Sequence, residues 1–430
     1  MIGVSLLWLI GILAIGIPVG AALVMLGLTL AGIYSPFPLV KAIGETSWGA
    51  SSDVIVVSVP MFILMGELML RSGVAERMYD AMIKWFSWLP GGLMHSNIGA
   101  CAMFAATSGS SAATAATIST VSLPEMKKHG YNASLYTGSL AAGGTLGILI
   151  PPSINMVVYG VLTNTSIPQL YLAGFIPGFT LAALFMLTIL IACLIKPAWG
   201  GRKIEVSWAD RINCLPALIP PFGLFLIVIG SIYAGWATPT EAASLGVVAT
   251  FALAAANGRL NMKVLRLAFE GTMRSTAMIM LIFVGAFFLN FVLSAVGLSR
   301  EITNLITGLK LSPLETMIAI VIFYVILGCF METMAMMITT VPIVVPIITA
   351  MGYDPVWFGI IIIILVEVAM ITPPVGVNLY IVQGVRREGS LNEVIIGALP
   401  FVITMLVMIG ILIAFPNMAM WLPNMWKASL

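Results

Sequence analysis

Two segments place adjacent prolines in the middle of apolar stretches, "GTLGILIPPSIN" at 144–155 and "MITPPVGVN" at 370–378. Proline removes a backbone donor and clashes with the preceding helical turn, so each segment predicts a broken helix with exposed carbonyl oxygens. Such oxygens suit a sodium ion, and the helix that restarts after the break offers its positive N-terminal end to a carboxylate. A simple proline kink explains either segment alone, but two at corresponding places indicate an ion and substrate site.

Hydroxyl groups and small residues crowd a second kind of segment, "ATSGSSAATAATIST" at 106–120. Close helix packing through small residues explains the stretch as a whole. Its centre, "TSGSS", is typical of a turn whose hydroxyls and carbonyls face an ion. The corresponding segment of the second half, "FMETMAMMITT", places Glu332 and Thr333 opposite Ser110 and Ser111, so two such sites need not be equal.

The composition indicates the solvent in which these segments lie. About 60% of the residues are apolar, 8% are charged, and no Asp, Glu, Lys or Arg interrupts the stretch between Lys128 and Lys196. Soluble domains do not show this profile, so the sequence predicts an all-α integral membrane protein with about ten crossings. The first 30 residues contain no Lys or Arg, so we interpret them as the start of the membrane domain rather than as a signal peptide.

Several function classes are disfavoured by the same inventory. A net charge of +2 without a long basic run argues against a nucleic-acid partner. The four cysteines lack CxxC spacing, and neither histidine has partners at metal or triad spacing, so we expect no transition metal and no cofactor. Ser108 has no His or Lys at a plausible depth to activate it, so we predict that the protein is not an enzyme. A Walker A motif is also absent, which favours an ion gradient as the energy source.

The sequence is internally duplicated. The two Pro-Pro pairs stand 222 residues apart, and "LPEMKKHGY" and "VPIITAMGY" repeat at the same offset. We therefore predict two halves, 1–210 and 211–430. Each contains a re-entrant hairpin (92–124 and 312–349) and a Pro-Pro-broken helix (132–163 and 356–385).

The distribution of Lys and Arg predicts the orientation of the membrane spans. These are expected at 2–17, 18–34, 53–70, 132–163, 168–195, 216–234, 239–256, 268–294, 356–385 and 391–416. Fifteen of the 19 Lys and Arg then fall on one side, which the positive-inside rule makes cytoplasmic. The other side receives Lys41, Arg300, Lys310 and Lys427. Both termini are predicted to be periplasmic, and the five crossings per half invert the second half relative to the first.

Amphipathic sequences precede both hairpins, "SGVAERMYDAMIKWFSW" and "VGLSREITNLITGL". Their helical spacing of apolar and charged positions predicts arms that lie in the membrane interface.

Charged side chains inside a membrane cost about 2.5 to 3.5 kcal/mol each on insertion scales, so each requires a reason. Glu241 follows Pro239 at a helix start and is explained by interaction with that helix end. Glu67 and Arg274 lie near cytoplasmic ends and can reach water. Glu332 and Glu367 lie deeper, where a contribution to ion or proton coupling and a purely structural role both remain open.

These motifs resemble a known family. "GTLGILIPPS", "TPPVGVNLY", "PTEAAS" and "TSGSSAAT", over the whole chain, are similar to the large membrane subunit of a tripartite ATP-independent periplasmic (TRAP) transporter, in the ion-transporter superfamily. The resemblance implies a sodium-driven importer of a small organic acid in the bacterial inner membrane. It also implies an elevator mechanism, in which a transport domain moves against a scaffold. Two partners are implied: a small four-span membrane subunit and a periplasmic binding protein that delivers a C4-dicarboxylate, a sialic acid or another carboxylate.

The resemblance also implies site residues. The sodium ligands that it transfers to this sequence are Ser108, Gly109, Ser110, Ser111, Gly147, Pro151 and Asn155 at a first site, and Thr333, Thr372, Pro373, Gly376 and Asn378 at a second. The predicted substrate contacts are Ser153, Asn155, Asn378 and Glu332. A stand-alone sodium/dicarboxylate or citrate symporter of the same superfamily is the alternative; a gated channel fits paired hairpins less well.

Overall fold

The computed structural model describes residues 8, 11, 12, 15–298, 301 and 311–429, in which all regular secondary structure is helical. The α-helices are, in chain order, α1 (Val19–Tyr34), α2 (Ile43–Ser52), α3 (Ser58–Arg71), α4 (Val74–Phe86), α5 (Gly92–Ser108), α6 (Ser111–His129), α7 (Ala133–Leu149), α8 (Ile154–Thr163), α9 (Ile167–Ile195), α10 (Trp208–Asn213), α11 (Ile219–Tyr233), α12 (Pro239–Ala256), α13 (Met262–Ala295), α14 (Pro313–Gly328), α15 (Thr333–Ala350), α16 (Pro355–Met370), α17 (Val377–Arg386), α18 (Leu391–Ala414) and α19 (Asn417–Ser429). The predicted all-α membrane fold is confirmed.

Six helical stretches in these ranges are long and apolar enough to cross a membrane, and two bent helix pairs raise the number to eight. One pair joins α7 to α8 at an angle of 44°, and the other joins α3 to α4 at 70°. The second angle turns the amphipathic helix α4 away from the preceding span. The predicted span 2–17 and the predicted second arm, in 296–309, lie largely outside the described residues.

Polar side chains set the beginnings of many helices, because the first backbone N–H groups of a helix lack intrahelical partners. Thr238 and Glu241 form a capping box at α12, in which Glu241 Oε2 accepts the Thr238 N–H at 2.8 Å. Ser312 and Glu315 form the same box at α14. The interpretation of Glu241 as a helix-start residue is therefore confirmed.

Helices α5 and α6 form a helical hairpin whose two ends lie together, since the Leu93 N–H donates to the Tyr131 hydroxyl at 3.1 Å. A buried polar network fixes this hairpin to the arm α4 and to α7. Its centre is Tyr79 of the arm, whose hydroxyl donates to Asn97 Oδ1 at 2.8 Å and contacts the Tyr136 hydroxyl at 3.1 Å. Ser122 joins the same network, and its hydroxyl donates to Asn97 Oδ1 at 2.6 Å.

The two halves of the chain interlock. Helix α6 of the first hairpin packs against α17, which follows the second Pro-Pro pair, and α15 of the second hairpin packs against α8, which follows the first. Helix α7 crosses α18 where two glycines meet. An added Cβ on Gly138 would lie 2.0 Å from Gly397 O, and one on Gly397 would lie 1.8 Å from Ser134 O. The two backbones therefore touch directly.

Outside this interlocked core, α1 packs along α13, again through glycine. A Cβ on Gly20 would meet Leu281 at 2.7 Å, and one on Gly285 would lie 2.5 Å from Gly20 O. Helix α3 also contacts both α12 and α13. These helices form a second body beside the hairpins.

Several residues that the charge pattern assigns to one side are neighbours in the fold. Lys127, after the first hairpin, forms an ion pair with Glu388, between α17 and α18, and holds the pKa of that carboxyl below its usual range. Arg77 donates to Asn257 Oδ1, and the Asn257 amide donates to Ser72 O at 3.1 Å. These contacts agree with a common side; which side is cytoplasmic stays a prediction.

The α7–α18 crossing can be tested by substitution. We expect Gly138→Ala to lower the thermal midpoint of the purified protein markedly, because overpacking against backbone costs about 1–3 kcal/mol or more. Gly410→Ala, in α18 with nothing within 4 Å of its added Cβ, is the matched control and should be neutral or slightly stabilising. Equal midpoints for the two variants would contradict the direct backbone contact.

Candidate functional site

The loop between α5 and α6, which we call the first tip (109–110), lies against the interruption between α7 and α8, the first break (150–153). Gly109 O accepts the Ile154 N–H at 3.5 Å, and a Cβ on Gly109 would lie 2.9 Å from Pro152 O. Gly109 also has φ +61°, a conformation that glycine adopts without strain. The Pro151–Pro152 peptide bond is cis. The first hairpin thus contacts its own half at the proline pair.

Oxygen atoms are concentrated at the first tip. The hydroxyls of Ser108 and Thr114 lie 2.9 Å apart, and the Thr114 hydroxyl donates to Ser110 O at 2.8 Å. Gly147 of α7 permits this arrangement, because a Cβ there would lie 2.5 Å from Ser110 O. The Ser110 hydroxyl caps α6 by accepting the Ala113 N–H at 3.4 Å. The structure therefore brings Ser108, Ser110 and Gly147 together.

Ser153 bridges the first break. Its hydroxyl donates to Ile148 O at 2.5 Å and accepts the Met156 N–H at 3.4 Å, so it caps α8. Both contacts satisfy backbone groups that the prolines leave without helical partners. Ser153, a predicted substrate contact, is thus already engaged by the backbone.

The second half repeats the arrangement. The second tip (329–332), between α14 and α15, meets the second break (371–376), where Cys329 O accepts the Val375 N–H at 3.3 Å. Pro373–Pro374 is also cis, and Gly376 has φ +37°. The Thr372 hydroxyl, in the break, donates to Val368 O in the last turn of α16 at 2.6 Å.

Glu332 caps α15 at the second tip. One carboxylate oxygen accepts the Ala335 N–H at 3.0 Å and the other accepts the Thr333 hydroxyl at 2.8 Å. A carboxylate at a helix N-terminus is stabilised by the helix dipole, which gives this half-buried charge a structural reason. Each oxygen keeps a further lone pair for another ligand.

Two asparagines lie at the junction of the halves. Asn378 of α17 donates from Nδ2 to Ser111 Oγ at 2.8 Å and to Ala141 O at 3.0 Å, while its Oδ1 is buried without a hydrogen-bond partner among the described residues. Asn155, at the start of α8, is 2% exposed, and its Nδ2 has no partner in the same part of the chain. The predicted second sodium set therefore touches the first through Asn378 and Ser111.

Glu367 lies on α16, one turn before the second break. Its side chain is fully buried, and both carboxylate oxygens lack hydrogen-bond partners within the described ranges. The helices packed on α16 carry charged residues only at or directly beyond their ends: Lys196, Glu315, Glu332, Arg386, Arg387, Glu393 and Lys427. A buried carboxylate without donors or cations is very costly, so we infer that the group is uncharged here.

Two participants were missed by the sequence interpretation. Thr114 completes the hydroxyl cluster, and its position four residues after Ser110, within the small-residue run, was the available signal. Gly66 of α3 lies behind the tip, where an added Cβ would be 2.8 Å from Ser108 O. Nothing in the apolar sequence around Gly66 indicates that contact. Among the described residues, no group of three or more His, Cys, Asp or Glu side chains could hold a metal.

The neutral state of Glu367 gives a stability prediction. Glu367→Gln keeps the shape without the charge, so its thermal midpoint in detergent should stay within a few degrees of the original protein. Glu367→Lys introduces an amine, which is charged when protonated, at a position without a partner for that charge. This variant should not accumulate as folded protein. A strong loss of stability in Glu367→Gln would show that an ionised carboxylate is required.

Comparison with protein families matches residues 6–418 to the model described as "Tripartite ATP-independent periplasmic transporter, DctM component". The C4-dicarboxylate TRAP transporter large permease protein of Vibrio cholerae is 32% identical and covers 97% of this chain and 96% of its own. The sialic acid TRAP transporter large permease of the same organism is 29% identical, with 99% of both chains covered. The ectoine permease of Halomonas elongata is 28% identical, with 97% of each covered.

Solved structures support the fold. The Alcanivorax borkumensis YdaH transporter superposes with a TM-score of 0.64 at 15% identity, covering 95% of this chain and 97% of the other. The Neisseria gonorrhoeae MtrF efflux pump gives a TM-score of 0.54 at 12% identity, with 94% of each chain covered. The family match over most of the length shows that the chain belongs to the DctM, or large permease, component of the tripartite ATP-independent periplasmic transporters.

Proposed function

We propose that this permease imports a small organic acid across the bacterial inner membrane by symport with sodium. The observation that carries the proposal is the pairing of each hairpin tip with a proline break, through Gly109 and Ile154 in one half and Cys329 and Val375 in the other. Irregular backbone at membrane depth is tolerated only inside protein or beside a cavity. Two such meeting points in related halves are the arrangement that secondary transporters use for ions and substrate.

Sodium would bind to the oxygens that converge at the tips. At the first site these include Ser110 O, which lies against Gly147, and the hydroxyls of the Ser108–Thr114 pair. At the second site Thr333, Thr372 and the carbonyls around Pro373 are the candidates. The unpaired Oδ1 of Asn378 supports a cation nearby, because its Nδ2 donates to a carbonyl and thereby fixes the amide orientation.

The substrate carboxylate would bind between the starts of α8 and α17. Both helices begin at a break, and the positive end of a helix dipole favours an anion there. The unpaired Nδ2 of Asn155 is a further donor for a carboxylate oxygen. Two of the relatives are described as transporters of organic acids, C4-dicarboxylate and sialic acid, which agrees with this chemistry.

Movement would follow the division of the fold into two bodies. The hairpins and broken helices form an interlocked unit, whereas α1, α3, α12 and α13 pack through glycines into a second unit. In an elevator mechanism the first unit carries ions and substrate while the second stays fixed. Their contact at Gly66 and Ser108 offers only small groups, which favours sliding.

Energy would come from the sodium gradient. Each positive charge that moves inward across 100 mV contributes about 2.3 kcal/mol, so two or three sodium ions can accumulate an anionic substrate. Two partners complete the proposed system, a small four-span membrane subunit and a periplasmic binding protein, and selection of the acid then rests largely with the binding protein.

The sodium site can be tested without knowing the acid. Replacing Ser108 and Thr114 together by alanine should weaken radiolabelled sodium binding to the purified chain by about tenfold or more, since each lost contact of a hydroxyl to an ion costs about 1.5–3 kcal/mol. Ser244→Ala, at an exposed position of α12, is the control and should bind sodium normally. Unchanged sodium affinity in the double variant would remove both residues from the site.

Reconstitution tests the tripartite arrangement. Proteoliposomes that contain the chain with its small subunit, supplied with the binding protein, should take up an acid from a panel of labelled C4-dicarboxylates and sialic acids only under an inward sodium gradient. The chain alone should be inactive. Equal uptake by the chain alone would instead favour the stand-alone symporter, and uptake without a sodium gradient would contradict sodium coupling.

A further inference from the structure

A cavity of about 770 Å³ lies between the end of the arm α4 and the segment 207–218 that joins the two predicted halves. We call it the linker pocket. Its lining is mostly aromatic and includes Trp85, Phe86, Trp88, Trp208, Arg211 and Leu218. None of these residues belongs to the tips or breaks, so the proposed transport site does not account for the pocket.

The linker pocket lies at the edge of a membrane span. Residues 208–233 form one of the stretches that can cross the membrane, and the pocket is at its start. Trp88 and Trp208 are 60% and 69% exposed. Tryptophan concentrates at the boundary between hydrocarbon and headgroups, because its ring is apolar and its N–H needs a polar partner. The mouth of the pocket therefore faces the headgroup region.

Two donors at the pocket have no acceptor. The Trp85 Nε1–H and the Arg211 Nε–H are both buried, and neither finds a hydrogen-bond partner in the ranges that the structure describes. The adjacent carboxylate of Asp210 accepts the Ser207 hydroxyl at 2.6 Å and does not accept the Arg211 Nε–H. Arg211 instead rests on the Trp208 ring, 4.7 Å from its centroid. Buried donors are almost always satisfied, so these two indicate an external acceptor.

The acceptor must match both the positive charge of Arg211 and the aromatic walls of the linker pocket. A guanidinium is permanently charged and forms its strongest hydrogen bonds with phosphate or carboxylate. A free phosphate would use the donors but leave the aromatic walls unused. A phospholipid would place its phosphate at Trp85 and Arg211 and its glycerol and upper acyl carbons against the rings of Phe86 and Trp208.

We propose that the linker pocket binds one anionic phospholipid, whose phosphate accepts hydrogen bonds from Arg211 and Trp85. Arg211 and the neighbouring Lys84 favour the anionic class over zwitterionic lipids. Lys84 belongs to the same arm, and its charge acts on Asp210, which precedes Arg211 in the chain. Such charges near a lipid surface attract anionic headgroups. The lipid would connect the arm to the segment between the halves.

Native mass spectrometry of the full-length chain in detergent tests this binding. Phosphatidylglycerol should remain bound to the original protein, and phosphatidylcholine should bind more weakly. Arg211→Gln and Trp85→Phe should weaken phosphatidylglycerol binding, by about tenfold and about threefold to tenfold, because each removes one donor and keeps most of the wall. Arg202→Gln, which removes a basic side chain outside the pocket lining, should bind as the original protein does.

Further controls identify the source of the phosphate, and a second variant covers the case in which one variant misfolds. Diacylglycerol with the same acyl chains lacks the phosphate and should bind weakly and equally to all variants, and inorganic phosphate should not compete. Normal phosphatidylglycerol binding by both variants, diacylglycerol binding as tight as that of phosphatidylglycerol, or displacement by inorganic phosphate would each overturn the proposal. So would displacement of the lipid by the small membrane subunit. If Arg211→Gln fails to fold, Trp85→Phe, which keeps an aromatic ring, decides the outcome.

Discussion

The fold depends on one constraint: backbone N–H and C=O groups that leave a helix inside the membrane must find partners within the protein. The prolines of the two breaks create such groups at the centre of long apolar segments. The tips supply part of what is missing, since Gly109 O accepts from Ile154 and Cys329 O accepts from Val375. Ser153 supplies more by bridging the first break. The hairpins are therefore required by the breaks, and neither element is stable at that depth without the other.

The same constraint explains why the halves interlock. A helix that restarts at a break presents its side chains to a new set of neighbours, and those come from the opposite half: α17 packs on α6, and α8 packs on α15. Asn378, in the second half, connects the halves by donating to Ser111 and to Ala141 O in the first half. Because the restarted helices belong to one body with both hairpins, any movement of ions would carry both tips together. The glycine contact between α7 and α18 adds a direct backbone contact between the halves.

Much of this organisation could be predicted from the sequence. The apolar composition gave the all-helical membrane class, and the prolines together with "TSGSS" located both breaks and the first tip. The sequence could not show which distant residues these segments contact. Gly66, Gly138 and Gly397 act by lacking a side chain where another backbone approaches. Nor could the spacing of residues show that the two predicted sets of sodium ligands touch, since the contact of Asn378 with Ser111 joins residues 267 positions apart. Such contacts arise from the crossing of the halves, which is a property of the packed chain.

The two tips are related by position but differ in charge, and this bears on how cations would bind. The first offers neutral oxygens: hydroxyls of Ser108 and Thr114 and the carbonyl of Ser110. The second contains Glu332, whose oxygens each accept one hydrogen bond and retain capacity for a cation. A sodium ion at the first tip would add a positive charge to the core, whereas one at the second would neutralise a charge already present. In the proposed mechanism, an anionic substrate would then be stabilised chiefly by the ion at the first tip, and sodium would bind before the acid because of this unequal chemistry.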